Sequence, residues 1–124
     1  MGQVFPWGDN ADPQRANYSK SGIGITSVVG CFAPNGHGLF DMVGNVWEWT
    51  RSHWADRYGP AMLRAEALNP GDDDRLVVRG GSWGGRADYA RCAYRSGSTP
   101  DGRGNDLGFR VVLRSSPVSG ATER

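Results

Sequence analysis

Few residues in this chain could carry out covalent or metal chemistry. Cys31 and Cys92 lie far apart without the CxxC spacing of a zinc or redox site, and two cysteines do not make a disulfide scaffold. They are expected to be small buried or half-buried thiols. Ser82 sits in Arg79-Gly80-Gly81-Ser82-Trp83, not in the Gly-x-Ser-x-Gly elbow that presents a nucleophile, and neither His37 nor His53 is placed by sequence to serve it. Gly80-Gly81 followed by Gly84-Gly85 lacks the Lys-Ser/Thr of a phosphate loop and the strand-to-helix setting of a dinucleotide fingerprint. Taken alone, the residues offer no complete catalytic constellation.

The elements that must position these groups are short. The chain has 124 residues, enough for one small domain. Nineteen glycines and seven prolines interrupt nearly every window long enough for an amphipathic helix. A net charge of +1 argues against disorder and removes a charge-based case for nucleic acid or an anionic membrane as partner. Five tryptophans are expected to supply burial area in place of scarce aliphatics. No apolar run approaches the roughly 18 residues of a membrane span, and Met1 to Asp9 lacks the blocks of a signal peptide, so a cytoplasmic location is the default expectation.

One helix is predicted over Ala61 to Leu68, with Pro60 at its start and Asn69-Pro70 as its stop, followed by a solvated turn at Gly71 to Asp74. Strands are predicted at Asn45 to Thr50, Leu76 to Arg79 and Gly108 to Leu113. In the first, Trp47 and Trp49 share one face, so that face can be buried while Glu48 points elsewhere. Of the 14 cations 13 are Arg, which suits planar hydrogen bonding; Arg79, Arg91, Arg95 and Arg110 are expected to brace loops.

Two blocks dense in glycine and aromatics carry a family resemblance. The first holds Phe5-Pro6-Trp7-Gly8-Asp9 and Asn35-Gly36-His37-Gly38-Leu39-Phe40-Asp41-Met42-Val43-Gly44-Asn45-Val46-Trp47-Glu48-Trp49-Thr50. The second holds Arg79-Gly80-Gly81-Ser82-Trp83, Arg91-Cys92-Ala93-Tyr94-Arg95, Pro100-Asp101 and Leu107-Gly108-Phe109-Arg110. Together they resemble the C-terminal half of the formylglycine-generating enzyme (sulfatase-modifying factor) family, in the family's order. The resemblance implies an α+β, C-type-lectin-like fold, loop-rich with short twisted strands and few short helices. It is expected to occupy residues 1–114, with 115–124 as a flexible tail.

The resemblance also implies metal sites. The family binds calcium through an Asn or Asp side chain, two carbonyls and a Glu side chain. Here these are Asp41, the carbonyls of Gly44 and Val46, and Glu48, a hard oxygen set suited to Ca²⁺. The alternative is that Asp41 and Glu48 merely cap turns. A second family site, near Asn17 and Tyr18, matches poorly around Ser21. The family's two copper-binding cysteines align with Gly85 and Ala90, which cannot bind a metal, so copper and the oxidase chemistry are not expected.

Between Trp83 and Leu107 the chain contains no Lys, Glu, Gln, Met or Trp. This resembles the variable region of proteins diversified by diversity-generating retroelements, some of which share this fold. Tyr89 and Tyr94 offer rigid contact area and the small polar residues adaptable hydrogen bonds, as in antibody loops. The candidate ligand-binding residues are Gly84, Gly85, Arg86, Asp88, Tyr89, Tyr94, Ser96, Ser98, Thr99, Gly102, Gly104, Asn105 and Asp106. The expected function is a non-catalytic ligand- or protein-binding module. Alternatives are solvent loops of an inactive family member, a formylglycine-generating oxidase, or the C-terminal part of a larger enzyme. Another chain completing the fold is a further expected partner.

Overall fold

A computed structural model describes residues 2–60 and 66–115. The predicted helix falls largely on 61–65, outside the described residues; Glu66 to Leu68 are not helical, and the Ala67 N–H instead donates to the Arg51 carbonyl at 2.7 Å. The regular elements are four strands, β1 (Trp47–His53), β2 (Leu76–Arg79), β3 (Ser96–Ser98) and β4 (Leu107–Gly108), with 3-10 turns at Ser19–Ser21 and Ala87–Ala90. They form one sheet in the order β3-β2-β1-β4. β1 and β3 run antiparallel to β2, and β4 joins β1 in parallel through Trp47 opposite Leu107 and Glu48 opposite Gly108.

β2 has its predicted bounds, and its Leu76, Val77 and Val78 are buried, as a central β-branched run should be. β1 begins two residues later than predicted and runs on past an irregularity between Trp49 and His53. The strand expected over 108–113 is cut to Leu107–Gly108. Phe109, Val111, Val112 and Leu113 are 74, 83, 87 and 98% exposed, because no neighbouring strand lies beside them among the described residues. β3 is Ser-Gly-Ser, a composition without intrinsic strand preference, and only its ladder with β2 makes it a strand.

The core sits beside the sheet. Phe5, Ala16, Tyr18, Val43 and Ala90 are buried together, with Trp7 and Ala87 packed on them and the Phe5 and Trp7 rings stacked 5.4 Å apart. Burial of the Tyr18 hydroxyl pushes its pKa up, with Asp12 adding to the effect. The tryptophans supply burial area from the edge of the core: all five are half-buried, and Trp7 packs on this cluster. A large indole keeps its N–H at an edge, as Trp7 does in donating to the Asn10 carbonyl at 2.9 Å. The cysteines depart from expectation. Both are free and exposed; Cys92 lines a large cavity, and its backbone N–H donates to the Val4 carbonyl at 2.8 Å.

Candidate functional site

The turn that leads into β1 fixes the site. Asp41 and Asn45 adopt positive φ of 52° and 66°, and Gly44 has φ 79°; short polar side chains and glycine tolerate this region best. The turn is then locked from outside. Gly44 N–H donates to the Gly80 carbonyl at 2.7 Å, Asn45 N–H to the Asn17 carbonyl at 2.8 Å, and Trp83 N–H to the Asn45 carbonyl at 2.9 Å. The Asn45 side chain accepts the Ser27 N–H at 2.9 Å. Segments distant in sequence thus converge on one glycine-asparagine pair, which delivers Trp47 to the start of β1.

Arg110 completes the turn. Its Nε and Nη2 donate to the two carboxylate oxygens of Glu48 at 2.6 and 2.7 Å, and its remaining donors reach the Asp41 carbonyl at 2.6 Å and the Phe40 carbonyl at 3.0 Å. The hydrogen bonds to Glu48 hold the Arg110 pKa above its ordinary value. The other arginines expected to brace loops do so: Arg79 donates to the Cys92 carbonyl, Arg91 to Asp88, and Arg95 to Ala55 and Asp56. Arg95 also lies 4.0 Å from the Tyr58 ring centroid and 4.7 Å from that of Trp54.

The implied calcium ligands fit this arrangement unevenly. Asp41 Oδ2 accepts the Gly30 N–H at 2.7 Å, and both Glu48 oxygens lie on Arg110, so an ion there has to share Glu48 with the guanidinium. At the second family position, Asn17 is 1% exposed and its Oδ1 has no hydrogen-bond partner among the described residues, but Ser21 Oγ is committed to the Ala16 carbonyl and the Tyr18 N–H. One free oxygen falls short of the six to eight that calcium gathers. Among the described residues no three His, Cys, Asp or Glu side chains cluster as a metal site.

The candidate ligand residues divide. Tyr89, Tyr94, Ser96, Ser98, Gly104 and Asp106 line one cavity of about 290 Å³ together with Trp47, Val78, Gly97, Arg103 and Leu107. The Trp47, Tyr89 and Tyr94 rings lie 4.9 to 5.9 Å apart at tilts of 43 to 46°. Arg86 lies over Tyr89 and pairs with Asp88 at 2.6 Å, a bond that raises the Arg86 pKa. Thr99 donates to Asp101, and the Gly102 N–H to the Thr99 carbonyl. Gly84 and Asn105 are exposed, and the Asn105 carbonyl faces the Trp83 indole at 3.5 Å. Gly85 differs from the rest: it is buried, and a Cβ there would lie 3.3 Å from the Ser82 backbone and the Tyr89 ring. Trp47, Val78 and Leu107 belong to strands outside the window and carry no local signal of ligand contact; Arg103 lies within it and could have been named.

The comparisons with known proteins bear on the family and the fold. Residues 1–115 match the sulfatase-modifying factor enzyme 1-like domain. The bovine formylglycine-generating enzyme is 34% identical over 134 residues, which cover 95% of this chain and 36% of that protein. The bovine inactive C-alpha-formylglycine-generating enzyme 2 is 38% identical over 127 residues, covering 90% and 38%. Among solved structures, Treponema denticola variable protein 1 superposes with a TM-score of 0.63 at 35% identity, over 77% of this chain and 34% of that one. The chain therefore spans little more than a third of the length of each of these three relatives. On sequence and fold together, it belongs to the sulfatase-modifying factor enzyme 1-like family.

Proposed function

We propose that this chain is a non-catalytic binding module of the family and that its ligand sits against Trp47, Tyr89 and Tyr94. The observation that carries the reading is the convergence of six candidate residues on one cavity with an aromatic wall. Gly85 and Ala90, which stand where the family has its copper-binding cysteines, are both buried, and a side chain at Gly85 would press on Ser82 and Tyr89. Diversification of residues 84–106 is part of the same reading: a braced scaffold carries a changeable face. The test is Cu(I) titration with a thiol peptide under air. No peptide oxidation is expected; tight Cu(I) binding with oxidation would establish the oxidase instead.

Calcium at Asp41, Gly44, Val46 and Glu48 is proposed as a structural ion. Excess chelator should then lower the melting temperature, and an unchanged melt would remove the ion from the account. A further proposal is that another chain adds a strand along Phe109 to Leu113, where four large apolar side chains are exposed beyond β4. The native mass in an extract of the source should exceed 13.4 kDa, and a native mass of one chain would overturn this. No helix among the described residues is long and apolar enough to cross a membrane. A cytoplasmic location is proposed, in keeping with two free exposed thiols; recovery in a secreted or periplasmic fraction would refute it.

A further inference from the structure

The chemistry of the cavity beside Trp47 narrows its ligand. Its carbon surface comes from Trp47, Tyr89 and Tyr94, and its polar rim from Ser96, Ser98, Arg103 and Asp106. Asp106 Oδ2 accepts the hydroxyl of Ser82, itself 2% exposed, at 2.8 Å, which fixes the carboxylate. Oδ1 accepts no hydrogen bond from the described residues. Arg103 is held only by the Asp101 and Gly102 carbonyls at 3.2 and 3.3 Å, and no carboxylate lies within ion-pair distance of it among the described residues. An acceptor-bearing and a donor-bearing residue therefore line one cavity without pairing with each other.

A cationic ligand would meet Arg103, and the guanidinium groups of Arg86 and Arg91 already lie over the Tyr89 and Tyr94 rings. An anionic ligand would meet Asp106. A neutral ring with several hydroxyl groups and one C–H face meets neither penalty. Its C–H face can lie against Trp47 and the sides of the Tyr89 and Tyr94 rings that Arg86 and Arg91 do not cover, and its hydroxyls can donate to Asp106 Oδ1 and accept from Arg103, with the serine hydroxyls serving in either sense. At about 290 Å³ the space is at the lower limit for ligand pockets, which suits one ring.

Resting on the proposed reading of this face as a binding site, we infer that the cavity takes a single neutral hexopyranose unit of a glycan. The test is a ¹⁵N-resolved titration of the full chain with methyl β-glucopyranoside, methyl α-mannopyranoside and methyl β-galactopyranoside. At least one should saturate in the millimolar range and shift the Trp47 indole resonance. Arg103→Met, a change at an exposed side chain, should weaken binding by about fivefold, the loss of one hydrogen bond, with the melting temperature unchanged. No shift from any of the three sugars overturns the inference. The same protein is then panned against a displayed peptide library. Peptides whose binding is lost in Tyr94→Ala would leave the binding face standing with a different ligand class; no selected peptide would remove the proposed binding face as well.

Discussion

Gly44→Ala should cost about 2–5 kcal/mol, a large part of the roughly 5–15 kcal/mol that holds a typical domain together. Two penalties add. Gly44 has φ 79°, a conformation that costs an L-residue on the order of 1–2 kcal/mol. A Cβ there would also lie 2.5 Å from the Asn17 carbonyl oxygen and 3.0 Å from the Asn17 carbonyl carbon and amide nitrogen. The obstacle is backbone, and that same carbonyl accepts the Asn45 N–H, so it cannot withdraw without breaking the turn. Urea denaturation measures the loss. Gly36→Ala is the control, because Gly36 lies in open space without a positive φ, and it should change stability little. If the two variants lose stability equally in urea, the turn is not a rigid hub.

Arg110→Gln should destabilise the chain by about 2–3 kcal/mol, since it removes charge-assisted bonds to Glu48 and leaves that carboxylate unpaired. The Glu48 and Arg110 side chains are 19 and 34% exposed, so solvent screens the pair and the cost stays below that of a fully buried one. A double-mutant cycle with Glu48→Gln isolates the pairwise part: the double variant should be less destabilised than the two single changes added together. The proposed calcium site adds a second readout. Freed from the guanidinium, Glu48 should bind calcium more tightly in Arg110→Gln than in the parent chain. Equal affinity in a folded variant would show that Glu48 is not a ligand.

Local chemistry made part of the molecule legible. Leu76 to Arg79 is a strand with the bounds its Val-rich run predicts, and Gly71 to Asp74 forms the expected turn, with Asp74 Oδ2 accepting the Gly71 N–H at 2.9 Å. The arginines brace loops because a loop-rich chain leaves carbonyls that a planar fork can reach. Residues 84–106 could be named as a candidate binding face from the resemblance to diversified variable regions and from side-chain type, but which of them share one cavity could not. Neither β3 nor the shortening of β4 was legible. Ser-Gly-Ser becomes a strand only beside β2, and Phe109 to Leu113 fails to become one for want of a neighbour.

The sequence by itself determined the family and the central strand, since these rest on residue types and spacings that survive any arrangement in space. Tertiary structure alone decided that Trp47 closes the cavity with Tyr89 and Tyr94, that Gly85 is buried, that the cysteines are exposed and that Arg110 grips Glu48. Each of these depends on which distant segments share a surface. That is set by the glycine-asparagine turn packing on Asn17 and Gly80, and no local propensity encodes such a long-range match.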